Sequence, residues 1–414
     1  MTRVITRPKS DGGPLAGIRV VDLSTSYAGP TGTMYLADMG ADVIKVERPG
    51  HGDDARAWGP PFRGADSAWF HSANRGKRSI AINLRGDGGR RVLDRLLEKA
   101  DVLVENLNPA KLESLGLTPK AVRARHPHLV YCAISGFGLT GPDSDLPGYD
   151  LVAQARSGLM SVTGAADGTP QRVSTALSDI VTGLMAAFTI TAALRERDRT
   201  GTGRLVEVSL FETDLALMAP RIAAFLAGEP EPRPSGGTDS VLAVYQAFET
   251  SDRPIVVAVG SDAIWRRFCS VTGLDDLAAD PSLADNAGRR AGRPRILPLI
   301  AGRLARRPAA HWLDTFAEAG VPAAPIRSLS EVVDDPHVKA RAAIQSLATE
   351  DGTVDVVASP WRMEPRPALP DPATVGPVGG HTVQILRGLG FTAEEIGELT
   401  ATGAVAVPEE KESA

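Results

Sequence analysis

Ile18-Arg19-Val20-Val21-Asp22-Leu23 is an apolar run that stops at Ser24, Thr31 to Met39 carries helical spacing up to Gly40, and Asp42-Val43-Ile44-Lys45-Val46-Glu47 is a second apolar run halted by Pro49-Gly50. Each run is too short for a helix and rich in β-branched residues, so each predicts a strand. Gly40 is the stop expected after a helix. Strand, helix and strand in this order predict two parallel neighbours joined by a crossover helix.

The same alternation continues outward. Ser79 to Leu84 alternates, Gly88 to Lys99 is amphipathic, and Asp101 to Glu105 and Leu129 to Ile134 predict further strands. An apolar helix follows Asp179 to Glu196, then a polar turn from Arg197 to Gly203, a strand from Leu205 to Leu210 and a helix from Phe211 to Leu226. The fold class is therefore α/β, with a mainly parallel sheet covered on both faces. Gly228 to Thr238 is dense in Pro and Gly and reads as a linker or active-site loop. Beyond it, strands near Val241 to Thr250 and Ile255 to Val259 precede helices at Trp265 to Thr272, Ile296 to Leu304 and Ala309 to Ala319, a second and smaller α/β unit. Pro360 to Pro377 is again Pro-rich, Thr382 to Leu399 predicts two helices, and the acidic end Pro408 to Ala414 predicts a frayed terminus.

The chain has 414 residues, 43% hydrophobic and 23% charged, which is globular composition on a scale of two or three domains. A net charge of -5 gives no global attraction for nucleic acid or an anionic membrane, so any bound anion needs a local cluster. Cys132 and Cys269 form no disulfide framework. Met1 to Gly13 has no apolar signal region, and the longest uncharged run, Ile180 to Leu194, is short for a membrane span. A soluble, cytoplasmic protein without nucleic-acid or membrane partners is the expectation.

Gly136-Phe137-Gly138-Leu139-Thr140-Gly141 fits a dinucleotide fingerprint only if a helix opens there, and Pro142 to Pro147 carries no helical pattern, so a loop is predicted. His126-Pro127-His128 lacks the ligand set of a metal site, and no metal is expected. Lys45, Arg48, Arg56, Arg75, Lys77, Arg78 and Arg85 gather around strand ends; they predict either a phosphate grip or a solvated charged rim. Asp179, preceded by Ser178, reads first as the cap of the following helix, a reading that does not exclude an oriented carboxylate whose negative form the helix dipole favours.

Several blocks, in order, resemble the family III CoA-transferases, also called the CaiB/BaiF or formyl-CoA transferase type. They are Pro14 to Ser24, Ala28-Gly29-Pro30, Leu36 to Asp53, Asn74 to Ile80, Ala100 to Asn106, Ser135 to Pro142, Gly148-Tyr149-Asp150 and Arg199 to Arg204, together with the helix after Asp179. The likeness spans about residues 14 to 345. It implies a Rossmann-like large domain (14–205 with a C-terminal return, 331–405), a linker and glycine loop (206–240), a small domain (241–330), and an interlocked homodimer. It implies acyl-CoA and a free carboxylic acid as substrates, no permanently bound cofactor, and Asp179 as the nucleophile that becomes an anhydride and then a CoA thioester. Tyr27, Ala28, Arg48, Arg85, Asn106 and Leu107 match CoA-lining positions; Phe137, Gly138 and Tyr149 match the substrate loop, and Gly236 and Gly237 a mobile glycine loop. Ala110 and Ser114 replace the family's usual Gly and basic residue, and Lys111 stands nearby as a substitute cation. The related α-methylacyl-CoA racemases use a His-Asp pair. This chain has no histidine between Gly136 and Asp150 and offers only Tyr149 there; a tyrosine, which ordinarily titrates at about 10, is a poor base at neutral pH, which favours transfer. A non-catalytic acyl-CoA-binding protein is the other alternative, and retention of Asp179 weighs against it.

Overall fold

A computed structural model describes residues 13–349, 352–364 and 373–408. The N-terminal stretch up to Gly12, the acidic end after Pro408 and the centre of the Pro-rich return therefore lie outside the described residues. The chain divides into two compact units, one of Met1–Leu159, Val173–Ala224 and Lys339–Ala414, the other of Met160–Arg172 and Phe225–Val338.

The first unit is built on a seven-stranded sheet among the described residues. Its strands are β1 (Arg19–Asp22), β2 (Asp42–Glu47), β3 (Lys77–Ile82), β4 (Val102–Glu105), β5 (Val130–Ser135), β6 (Leu205–Ser209) and β7 (Val405–Ala406). Their spatial order is β7-β3-β2-β1-β4-β5-β6. All neighbours are parallel except β7, which pairs antiparallel with β3. Order 3-2-1-4-5-6 is the doubly wound pattern, in which the direction of winding reverses between β1 and β4 and opens a crevice at their carboxyl ends.

Alternate residues of each strand feed opposite cores. Val21, Ile44, Ile80, Leu103 and Tyr131 pack with Leu93, Leu96 and Leu97 of the helix Asp87–Glu98 and with Ile385, Leu386 and Leu389 of the helix Thr382–Leu389. Val20, Val43, Val102, Val130 and Cys132 pack on the other face, against Leu36 of α1 (Ala28–Asp38) and Ala186 and Ile190 of the helix Leu177–Thr200. Both faces are covered, so the strands read as nearly continuous apolar runs. Each fully buried Leu or Ile contributes about 1.5–3 kcal/mol.

The elements differ from the sequence expectation where proline decides. Helix α1 starts at Ala28 rather than Thr31, because Pro30 is tolerated in a first turn. The predicted helix Phe211 to Leu226 breaks at Met218, since Pro220 lacks the N–H needed for a continuous ladder and instead opens a new helix, Ala219–Leu226. Strand β7 is only two residues long, and the hairpin Ile344–Thr349 with Gly352–Val357 lies where no strand was predicted.

The second unit carries an antiparallel three-stranded sheet, Ala323–Pro325, Ile255–Ala258 and Tyr245–Phe248. The helices Asp262–Thr272 and Ala309–Ala319 supply Trp265, Phe268, Trp312 and Phe316 to its core.

Candidate active site

The crevice between β1 and β4 is shaped by their following loops. The Asn106 side chain accepts the Thr25 N–H at 3.0 Å and donates back to the Thr25 carbonyl at 2.9 Å, tying the loop after β4 to the loop after β1. Tyr27 and Ala28 follow on the β1 side, where the Tyr27 hydroxyl lies 2.9 Å from that of Ser72 and its ring meets Trp69 edge-on at 5.0 Å. Leu107 is half-buried after β4, its N–H bonded to Glu105 at 2.7 Å. Arg48 follows β2 and Arg85 follows β3, so all six positions matched to CoA lining lie at the carboxyl edge of the sheet.

Most of the basic residues expected there do something else. Lys45 pairs with Asp53 at 2.8 Å, Arg56 with Glu47 at 2.7 Å, Lys77 with Asp22 at 3.0 Å, Arg78 with Asp42 at 2.6 Å and Arg75 with Asp38 at 2.5 Å. All five cations are buried. They are neither a phosphate grip nor a solvated rim but the internal ionic framework of the sheet. Arg48, paired with Asp54 at the surface, and exposed Arg85 and Lys111 remain. Burial, with the charges of Arg48 and Arg85, pushes the Lys111 ammonium below its ordinary pKa, which places these three cations in one electrostatic neighbourhood.

The long crossover helix between β5 and β6, α3 (Leu177–Thr200), runs back over the sheet, so its N-terminus lies at this same carboxyl edge. It crosses α1 where Gly32 faces Gly183; a Cβ at Gly183 would lie 2.7 Å from the Ala28 carbonyl oxygen. Only glycine permits that approach, and it seats the first turn of α3 beside the CoA-lining end of α1.

Asp179 is not the cap of α3, as the sequence suggested, but the third residue of its first turn. The capping carboxylate comes from Asp150, at the start of α2 (Asp150–Arg156): it accepts the Ser178 N–H at 2.8 Å and the Asp179 N–H at 3.4 Å. The Asp179 carboxylate itself accepts no hydrogen bond from any described residue. Burial, then the charges of Asp150 and Asp214, push its pKa up to about 7. These effects outweigh the helix dipole invoked from sequence. Burial likewise raises Asp214, on α4 (Leu210–Leu217), to about 6 against the opposing hydrogen bond from Ser178. Burial first, and then the charge of Asp179, raise the pKa of Tyr27, so the tyrosine and the carboxylate lie within electrostatic reach of each other. A half-buried carboxylate with free oxygens and raised basicity is suited to nucleophilic attack. Among the described residues no His, Cys, Asp and Glu are grouped to hold a metal ion.

The loop after β5 is indeed a loop, with no helix before Asp150. Its base is pinched where Gly136 and Gly148 touch: a Cβ on Gly136 would lie 2.6 Å from the Gly148 Cα. Gly138 takes a positive φ of 99°. Phe137 packs 6.0 Å from Phe211 of α4, with the Arg156 guanidinium 5.3 Å above its ring. The pinched loop ends by delivering Tyr149, which is exposed, and Asp150, which is buried. Gly236 and Gly237 belong to the second unit; both have positive φ, and the Gly236 N–H bonds to the Gly164 carbonyl at 2.9 Å.

A model of CoA-transferase family III matches residues 15–382. The chain belongs to CoA-transferase family III. The human succinyl-CoA:glutarate CoA-transferase is 36% identical over 409 residues, covering 96% of this chain and 92% of that one. The acetyl-CoA:oxalate CoA-transferase of Acetobacter aceti is 39% identical over 337 residues, 81% of this chain and 86% of the relative. A crystal structure of a CaiB/BaiF family protein from Brucella suis superposes with a TM-score of 0.79 at 36% identity, covering 91% of this chain and 99% of that one. The protein is thus an enzyme with CoA-transferase activity.

Within this family III chain, sequence reasoning missed Asp214 and Ser178 as parts of the site and quoted Asp150 without a role. Asp214 carries no local signal, because its partners lie 36 and 57 residues away in sequence.

Proposed function

We propose that the enzyme moves CoA from an acyl-CoA donor to a free short dicarboxylic acid through covalent intermediates on Asp179. The observation that carries this reading is the Asp179 carboxylate, raised in pKa and free of hydrogen bonds among the described residues, beside the Tyr27 and Ala28 end of the CoA crevice. The names of the relatives, glutarate and oxalate transferases, support the dicarboxylic class and succinyl-CoA as a donor to test.

In the first step an Asp179 oxygen bonds to the thioester carbonyl carbon, the C–S bond breaks, and CoA leaves as thiolate. The thiolate then attacks the Asp179 Cγ of the mixed anhydride and releases the donor acid as carboxylate. The acceptor carboxylate attacks the aspartyl-CoA thioester, regenerating an anhydride and thiolate, and attack of that thiolate on the acyl carbonyl completes the new acyl-CoA. No proton or electron is consumed overall. Burial limits hydrolysis of the anhydride and thioester. Arg48, Arg85 and Lys111 hold the CoA phosphates as charge-assisted donors, Asn106 fixes the crevice floor, and Leu107 and Ala28 line it. Phe137, Gly138 and Tyr149 border the acyl group. Tyr149, exposed at the head of α2, lacks the environment of a base that would racemise an α carbon.

The working form is an interlocked homodimer in the cytoplasm, without a permanent cofactor. An apolar cavity of about 560 Å³ beside α3, lined by Met39, Leu184, Phe188 and Trp361, and the exposed Phe188 ring support burial of this face by a second subunit.

The test is a panel in which the purified enzyme receives succinyl-CoA and individual free acids, with new thioesters read by mass spectrometry. Transfer to dicarboxylic acids is expected. Deuterium wash-in at an α carbon without acyl exchange would replace this reading by the racemase.

A further inference from the structure

Asp214 is a buried acid whose role the exchange steps leave open. It lies on α4 with no solvent exposure. Oδ2 accepts the Ser178 hydroxyl at 2.8 Å and stands 3.5 Å from the Ser157 hydroxyl, while Oδ1 has no hydrogen-bond partner among the described residues. Ser178 is buried and directly precedes Asp179, and its backbone N–H goes to Asp150. Two acids from two helices therefore grip one serine, by backbone and by side chain, and so fix the turn that presents Asp179. A buried carboxylate with a bare oxygen and no cation is costly, and an apolar residue would fill the same volume without that cost.

We propose that Asp214 is a positioning residue for Asp179, holding the first turn of α3 through Ser178 while its negative charge disfavours the free nucleophile relative to the acylated one. The inference rests on Asp179 being the nucleophile. When the Asp179 oxygen bonds to the thioester carbon and the C–S bond breaks, the electron pair leaves on sulfur. One negative charge thereby moves from the cluster to the CoA thiolate. Repulsion felt by the Asp179 carboxylate is absent from the neutral anhydride and the neutral aspartyl thioester, so acylation relieves it. Burial first, and then the charges of Asp150 and Asp214, raise the pKa of Asp179, so this repulsion is one part of that shift.

The charges bearing on Asp179 are those of Asp150 from α2 and Asp214 from α4, and Asp179 in turn acts on Tyr27, the residue before α1. On β6, Glu207 accepts the Leu139 N–H, and Arg204, just before that strand, pairs with Glu196. The β5 thiol, Cys132, is buried in the core and pushed far above its ordinary pKa by burial and by Glu105. Toward its other end α3 carries Arg195 and Arg199 and the Arg197–Asp101 pair. No lysine or arginine forms an ion pair with Asp150, Asp179 or Asp214 among the described residues.

Two variants separate charge from contact. Asp214→Asn keeps an oxygen for Ser178 and removes the charge; Ser178→Ala removes the hydroxyl and keeps the charge. Asp179 is titrated in the full-length enzyme without CoA, as the pH dependence of its modification by a water-soluble carbodiimide, mapped on its peptide and compared with wild type. The fraction of enzyme carrying a hydroxylamine-sensitive adduct at Asp179 is measured with succinyl-CoA alone. Asp214→Asn is expected to move the titration down by about half to one pH unit and to lower the adduct fraction about three- to tenfold. Ser178→Ala leaves the titration in place and lowers kcat about tenfold with the acyl-CoA KM unchanged. A wild-type titration midpoint in Asp214→Asn overturns the inference; should that variant not fold, Asp214→Thr makes the same comparison. A midpoint that moves while wild type never carries the adduct preserves the coupling and rejects the nucleophile instead.

Discussion

Beneath the carboxyl edge of the sheet, Lys77 and Asp22 lie 3.0 Å apart with neither exposed; at the first turn of α3, Asp150, Asp179 and Asp214 gather with no cation among the described residues paired to any of them. Both regions bury charge within one α/β unit. In the first, each charge has a partner, and Asp22 is held down to about 2, its burial outweighed by Lys77, Lys45 and two hydroxyls. In the second, burial and then neighbouring like charge raise Asp179 and Asp214, and one Asp214 oxygen has no hydrogen-bond partner among the described residues. Paired buried charge fixes a backbone, whereas unpaired buried charge keeps a group reactive. That contrast locates the chemistry more sharply than the number of basic residues does.

The contrast breaks most visibly at Asp179. Asp179→Ala should lower CoA exchange by about 10³-fold or more, with CoA binding retained and no loss of thermal stability. Retained turnover in the thioester assay would mean that the unpaired cluster is not the reactive one. At Lys77 the outcome is the opposite. Lys77→Met strands Asp22 in the core and should cost about 3–5 kcal/mol in denaturant unfolding, part of which Asp22→Asn restores in the double variant.

The pH dependence of stability separates the regions further. The folded pKa of Asp179, about 7, lies above its unfolded value near 4, so the folded state binds the extra proton between these limits. The stability associated with that proton is complete below about pH 4 and is lost as pH rises through 7. Asp179→Asn should therefore match wild type near pH 4 and exceed it by about 1–2 kcal/mol at pH 8, measured by denaturant titration at each pH. Equal stability at both pH values would remove the repulsion from the account. The smallest effects belong to the surface cations: Lys111→Ala and Arg85→Ala should each raise the acyl-CoA KM about three- to tenfold at unchanged kcat, and shift stability by no more than about 0.5 kcal/mol.

The sheet was legible because its strands are buried on both faces: Val20-Val21 and Val43-Ile44 cannot avoid reading as apolar runs. Asp179 was legible as an acid opening an apolar helix, although its true cap, Asp150, lies 29 residues away. Charge pairing was not legible, since nothing local distinguishes Arg85, exposed, from Arg78, whose partner Asp42 lies on the adjacent strand 36 residues earlier. Edge strand β7 was missed for a related reason: two residues pairing with β3 carry no period of their own.

The most direct measurement is peptide mass spectrometry of the wild-type enzyme mixed with succinyl-CoA in the absence of acceptor and quenched with hydroxylamine. The account predicts a hydroxamate on Asp179 and, without hydroxylamine, a CoA adduct on the same residue. An unmodified Asp179 peptide in an enzyme that is turning over would contradict it.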